Sequence, residues 1–308
     1  MKVIIIGSKG FIGHNLLNYF QAKGYEVWSA DVVVDYVNSE RYFQIDASST
    51  DYSAVFQNLT YDVCINCSGA ASVPDSLKNP LRDYYLNTVN VYKILNAIKR
   101  FQPNCRFINL SSAAVYGNPK HLPVKEETGL DPISPYGIHK LQAEQICKEF
   151  HDFYKIQTCS LRIFSVYGIG QQKQLFWDLY NKAKTSVPFT LYGSGKESRD
   201  FIYVLDLVKA IEIVYEFSSF KADVINVANG EEIMIKDAVS IFLSLFNYDV
   251  IYTFSGESRK GDPVNWVADI SKLKSFGYKP SVDIISGLKN YYEWIRTNTC
   301  NLYFNPLV

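Results

Sequence analysis

Through residue 168 the chain alternates short apolar runs with stretches of helical periodicity, which predicts βαβ units and a parallel sheet. Val3–Ile6 reads as the first strand. Phe11–Lys23 reads as a helix with apolar positions at Phe11, Ile12, Leu16, Leu17 and Phe20. Glu26–Ala30, Tyr42–Ile45 and Val63–Asn66 follow as strands. The spacing then predicts one unbroken helix over Pro80–Arg100, burying Leu81, Tyr84, Tyr85, Val89, Ile94, Leu95 and Ile98. Arg106–Leu110 is a fifth strand, Pro135–Tyr154 a second long helix and Thr158–Ile163 a sixth strand.

Beyond Gly168 the order loosens. Phe201–Phe217 reads as a strand and helix returning to the core, Val224–Val227 as a further strand, and Tyr192-Gly193-Ser194-Gly195-Lys196 as a turn. The fold class expected is α/β: a Rossmann-type doubly wound parallel sheet over residues 1–168, with 200–227 returning to it. Residues 169–199 and 228–308 form a smaller mixed α/β lobe across a cleft.

Composition narrows the partners. Lys+Arg and Asp+Glu both number 31, so no net field favours nucleic acid or a membrane surface. The apolar N-terminal run ending at Gly7 is too short for a signal-peptide core, and no later run is long enough to span a bilayer. The chain is read as cytoplasmic. Cys64 and Cys67 form a C-x-x-C, but they lie in a strand-like segment without a second cysteine pair. They are read as core residues rather than metal ligands, and no metal is expected.

Gly7-Ser8-Lys9-Gly10-Phe11-Ile12-Gly13 has G-x-x-G-x-x-G spacing between the first strand and the first helix. Glycine there permits a tight turn and close approach of backbone to a pyrophosphate at the helix N-terminus, and Gly13 lets the helix lie close on the sheet. Asp31 ends the second strand, where a carboxylate accepts hydrogen bonds from ribose hydroxyls and repels a 2′-phosphate. The expected cofactor is NAD rather than NADP.

Ser134-Pro135-Tyr136-Gly137-Ile138-His139-Lys140 holds a Y-x-x-x-K. Serine then proline starts a helix well, so Tyr136 falls in the first turn and Lys140 one turn on, on the same face. A neighbouring ammonium and the helix N-terminus both favour phenolate, which a base of this kind needs because a free tyrosine titrates near about 10.

With these motifs the chain resembles the extended short-chain dehydrogenase/reductase family, in its NAD-dependent epimerase/dehydratase group that includes UDP-glucose 4-epimerase. Ser111-Ser112-Ala113-Ala114-Val115-Tyr116-Gly117, Leu161-Arg162-Ile163-Phe164-Ser165-Val166-Tyr167-Gly168, Arg199-Asp200-Phe201-Ile202-Tyr203-Val204, Arg259-Lys260-Gly261-Asp262 and Gly277-Tyr278-Lys279-Pro280 continue the likeness in family order almost to the end. The resemblance implies roles. Ser112 would bond the reacting sugar oxygen, Tyr136 would be the base, and Lys140 would hold the nicotinamide ribose and tune the tyrosine. Gly7, Gly10, Phe11, Ile12, Gly13, Asp31, Asp46, Ala47, Asn66, Cys67, Ser68, Gly69 and Asn87 would line the cofactor. Ser165, Arg199, Arg259 and Asp262 would bind a nucleotide-diphosphate sugar. It also implies a homodimer through a four-helix bundle made from the two long helices.

The implied reaction passes through a transient 4-keto sugar. A 4,6-dehydratase of this group carries its extra acid and base directly after the active-site serine or threonine. Ala113 and Ala114 stand there, and a methyl group cannot shuttle protons. A 4-epimerase is the reading preferred. A reductase of a 4-keto-6-deoxy nucleotide sugar uses the same triad, and a non-catalytic NAD-binding regulator is a third class. Ser165 stands where many 4-epimerases carry asparagine, which leaves the sugar open.

Overall fold

A computed structural model describes residues 1–35, 39–185 and 187–302. Strands β1 (Lys2–Ile6), β2 (Glu26–Asp31), β3 (Tyr42–Gln44), β4 (Val63–Asn66), β5 (Arg106–Ser112) and β6 (Thr158–Ile163) join Lys221–Val227 in one parallel sheet. The order across it is Lys221–Val227, β6, β5, β4, β1, β2, β3. The chain thus runs outward from β1 on one side and returns to β4 on the other. In such sheets a crevice opens at the carboxyl ends of the two strands at this reversal, and ligands bind there.

Both faces of the sheet are covered, as near-continuous apolar strands require. Helices Phe11–Ala22 and Val204–Phe217 close one face with Leu16, Phe20, Leu207, Ile211 and Val214. Ser53–Gln57, Asn90–Phe101 and Pro135–Tyr154 close the other with Phe56, Ile94, Ile98, Ala143 and Phe150. A third core gathers Phe176, Leu179, Phe201, Tyr203, Phe242, Leu288 and Tyr291 away from the sheet. The strand Phe201–Tyr203 pairs with Ser165–Tyr167 and faces both ways, with Ile202 in the sheet's core and its two neighbours in the third. Among the described residues no helix is long and apolar enough to cross a membrane.

One sequence expectation fails. The helix expected over 80–100 is broken: Pro80–Tyr84 is α-helical, Tyr85–Val89 is a π turn, and Asn90–Phe101 resumes the α-helix. Its first half is also inside out. Leu81, Tyr84 and Tyr85 are exposed, while Asp83, Asn87, Thr88 and Asn90 are buried. The apolar periodicity there marks an outer surface, and the inward face carries polar side chains toward the crevice. Single π turns of this kind gather at functional sites.

Candidate active site

Three backbone segments converge at the carboxyl ends of β1 and β4. Gly7 takes φ +82°, and a Cβ there would lie 2.6 Å from the Ser68 nitrogen, so only glycine lets the two turns touch. A Cβ on Gly13 would lie 2.2 Å from the Gly7 carbonyl oxygen. Gly13 therefore seats the helix against the turn, where the sequence suggested the sheet. Gly10 precedes the Phe11–Ala22 helix without a capping side chain, and no acidic residue stands in the first turn. The amides around Phe11 and Ile12 thus belong to an uncapped, electropositive end.

Asp31 closes β2 beside this turn. One carboxylate oxygen accepts from the Lys9 amide at 2.8 Å and the other from the Val32 amide at 2.7 Å. The carboxylate pins the glycine turn as well as facing the crevice, a role the motif alone did not reveal. The Lys9 ammonium turns away to pair with Asp35. Asp46 and Ala47 lie exposed beyond β3, and Asp46 holds the Ser48 amide and hydroxyl at 2.8 and 2.7 Å. Those bonds pull its carboxyl below the usual range.

The turn after β4 carries Cys67, Ser68 and Gly69. Ser68 donates its hydroxyl to Asn66 Oδ1 at 2.6 Å, and burial pushes the Cys67 thiol well above its usual range, so it stays protonated. Cys64 is buried in β4, and both cysteines are free thiols. Asn87, from the π turn, reaches this segment: a Cβ on Gly69 would lie 2.5 Å from Asn87 Oδ1. That oxygen is buried and has no hydrogen-bond partner.

Ser112, Tyr136 and Lys140 meet opposite. Ser112 ends β5, caps the 3₁₀ turn Ala113–Tyr116 and accepts from the Ala114 amide at 3.2 Å. Ser134 caps the Pro135–Tyr154 helix by accepting from the Gly137 amide at 3.1 Å, as the serine–proline pair predicts. The Tyr136 amide donates to Ser76 Oγ at 3.2 Å. Burial raises the Tyr136 phenol to about 12, opposed by its hydrogen bond with Ser112 and assisted by the charge of Asp83. Charge alone suggested a depressed phenol; desolvation outweighs it. Lys140 is buried, donates to the Leu110 carbonyl at 2.9 Å and lies 5.9 Å from the Tyr136 ring centre. Desolvation lowers its ammonium to about 8, against the upward pull of Asp83, Cys67 and Glu144.

The residues expected at the substrate form a second group. Arg199 donates to the Ser198 and Val264 carbonyls at 2.8 and 3.1 Å and lies over the Trp266 ring. Burial lowers its guanidinium, while Asp262 pulls it upward. Arg259 sits 4.0 Å from Asp262 and stacks over Tyr192 at 4.8 Å. Burial raises the Asp262 carboxyl, and the two arginines oppose this. Gly261 packs against Ser134 and Val73, which places the 259–262 loop beside the start of the Tyr136 helix. Ser165 opens the strand Ser165–Tyr167, with its amide donating to the Asp200 carbonyl at 2.9 Å. Sequence reasoning missed Asp83 and His139, which lie between the two long helices. The four-residue spacing of Asp83 and Asn87 was the available signal.

The chain is similar to curated and solved epimerases over almost its whole length. The UDP-glucose 4-epimerase of Lactobacillus helveticus is 28% identical over 328 residues, covering 97% of this chain and 98% of that one. The UDP-N-acetylglucosamine 4-epimerase from Methanobrevibacter ruminantium M1, solved in complex with UDP-N-acetylmuramic acid, superposes with a TM-score of 0.86 at 28% identity. That match covers 96% of this chain and 98% of that one. The UDP-glucuronic acid 4-epimerase from Bacillus cereus, solved with UDP-glucuronic acid and NAD, gives 0.87 at 27% identity over 97% and 100%. The model of the NAD dependent epimerase/dehydratase family matches residues 3–228, and the chain belongs to that family.

Proposed function

We propose that this chain is an NAD-dependent nucleotide-sugar 4-epimerase acting on a UDP-sugar. The observation that carries the reading is the hydrogen bond between Tyr136 and Ser112 beside the buried Lys140, one position before two alanines. The nearest analogy in chemistry comes from the relatives, which are named as 4-epimerases of UDP-sugars.

The residues fit the cofactor. The uncapped helix end after Gly10 suits a pyrophosphate, Asp31 suits the adenosine ribose, and the unpartnered Asn87 oxygen awaits a donor beside Gly69. NAD bound there supplies a reversible acceptor for the C4 hydride. Tyr136, hydrogen-bonded to Ser112, would as phenolate take the proton of the C4 hydroxyl as the hydride leaves, and give that proton back to the same oxygen when the hydride returns to the opposite face of C4. Lys140 keeps a positive charge near the phenol and, at about 8, carries it through neutral pH. Ala113 and Ala114 are buried and apolar, so the site holds no acid and base after Ser112 for water elimination. Arg199, Arg259 and Asp262 would take the diphosphate and its ribose, with Ser165 close to the sugar.

We also infer a homodimer through the two long helices. Leu81, Tyr85 and Tyr92 on one helix and Ile138 and Phe153 on the other are exposed, which is the apolar cover a four-helix bundle requires. Sedimentation at micromolar concentration should give twice the chain mass, and a lone monomer would remove this part.

The test of function is to purify the protein, denature a portion and assay released NAD. The remainder is incubated without added cofactor with UDP-glucose, UDP-N-acetylglucosamine, UDP-glucuronic acid and their 4-epimers. Interconversion of one pair is expected. No interconversion, together with consumption of NADH or NADPH on a 4-keto-6-deoxy nucleotide sugar, would make the chain a reductase instead.

A further inference from the structure

We propose that Asp83, braced by His139, is a positioning residue that fixes which end of the Asn87 amide meets the cofactor. Asp83 is a buried carboxylate, 2% exposed, on the inward face of the Pro80–Tyr84 helix. Both of its oxygens accept from Asn87 Nδ2, at 2.8 and 3.2 Å, and one also lies 3.2 Å from His139 Nδ1. A carboxylate has only acceptors to offer, so the amide must turn its NH₂ toward Asp83. Its carbonyl oxygen is thereby driven to the opposite side. There it is buried without a partner, 2.5 Å from where a side chain on Gly69 would begin.

An unpaired buried carbonyl is costly, so this oxygen is a preformed acceptor for a donor arriving at the Gly69 turn. A ribose hydroxyl or an amide N–H of the dinucleotide meets that requirement; a phosphate oxygen does not. The brace comes from the neighbouring helix. His139 packs edge-on against Tyr84 with ring centres 5.4 Å apart, and Thr88 donates its hydroxyl to the His139 carbonyl at 3.1 Å. Asn87 is thus fixed to the helix that carries Tyr136 and Lys140, and the acceptor and the catalytic pair move together. The inference rests on the proposed placement of NAD along the turn after β4.

The test is a double-mutant cycle on NAD affinity, measured calorimetrically on cofactor-stripped protein for wild type, Asn87→Ala, Asp83→Leu and the double variant. Asn87→Ala should weaken NAD about five- to tenfold, the scale of one hydrogen bond. Asp83→Leu should do the same, and the double variant should be no weaker than Asn87→Ala alone. Asp83→Asn keeps an acceptor oxygen and should recover most of the loss. If Asp83→Leu does not fold, the cycle is run with Asp83→Ala. Losses that multiply in the double variant, or an Asp83→Asn protein as weak as Asp83→Leu, would overturn the positioning role. A silent Asn87→Ala would instead overturn the cofactor placement beneath it.

Discussion

Two buried cations, Lys140 on the Pro135–Tyr154 helix and Arg162 on β6, behave oppositely. Lys140 donates to one backbone carbonyl, and its ammonium is held down at about 8 by burial. Arg162, on β6, is as deeply buried but spends its donors: Nε and Nη2 bond Glu144, and Nη1 bonds the Tyr116 hydroxyl and the Glu126 carbonyl. Burial pulls the guanidinium down, yet the Glu144 bonds and charge push it up further still. Ser111 and Asn226 complete the set by bonding Glu144 and Tyr116. A buried charge with satisfied donors is scaffold. One with spare donors next to a phenol is kept at a cost to folding, which is how site residues differ from their frame.

The largest effect expected from this contrast is on catalysis. Tyr136→Phe should lower kcat by about 10²- to 10⁴-fold, with NAD content and melting temperature close to wild type. Activity surviving that change would move the proton transfer to another group. On the scaffold side, Arg162→Met leaves the Glu144 carboxylate buried and uncompensated. Denaturant unfolding should show a loss of about 3–5 kcal/mol. A loss below about 1 kcal/mol would mean that water reaches Glu144 and that the contrast is false.

Much of this was legible in the chain. Glycine spacing, the acid ending β2 and the serine–proline cap report on local backbone needs, and local needs are written locally. The Pro135–Tyr154 helix and β6 fall at the boundaries expected from the pattern. Of the segment expected as one helix over Pro80–Arg100, Ile94, Leu95 and Ile98 are buried as expected, but its first half was not legible. No proline or glycine marks its π turn. Its apolar periodicity was real but pointed outward, because Leu81, Tyr84 and Tyr85 form surface while Asp83 and Asn87 point in. A hydrophobic stripe identifies an apolar face without saying what covers it. The raised phenol of Tyr136 was hidden for a related reason: spacing shows a nearby charge, whereas desolvation depends on everything packed around it.

The third measurement sharpens the Lys140 side. Its ammonium falls from an ordinary 10.5 to about 8 in the folded protein. Between those values the unfolded chain binds more protons than the folded one, so this group adds stability as pH rises from 8 to 10.5. Below pH 8 the charged form weighs against folding in full, on the order of 3 kcal/mol. Without cofactor, Lys140→Met should therefore melt above wild type at pH 7, and the gap should close toward pH 10. A gap that stays constant with pH would assign the difference to packing rather than charge.

The smallest effect should be the most informative. If Arg162 and Glu144 serve only as frame, removing both as Arg162→Met with Glu144→Leu should restore most of the stability that Arg162→Met loses. Well-packed apolar residues commonly replace a buried ion pair at little net cost. The Tyr116 hydroxyl loses the guanidinium but keeps Asn226 as its acceptor, and Ser111 loses its carboxylate. A residual loss of about 1–2 kcal/mol is expected from that serine and from the Glu126 carbonyl left without its guanidinium. Recovery to this level places the pair in the frame. A double variant as unstable as the single one would mean the network is needed as ions, and the distinction between the two cations would then lie in their partners rather than in their purpose.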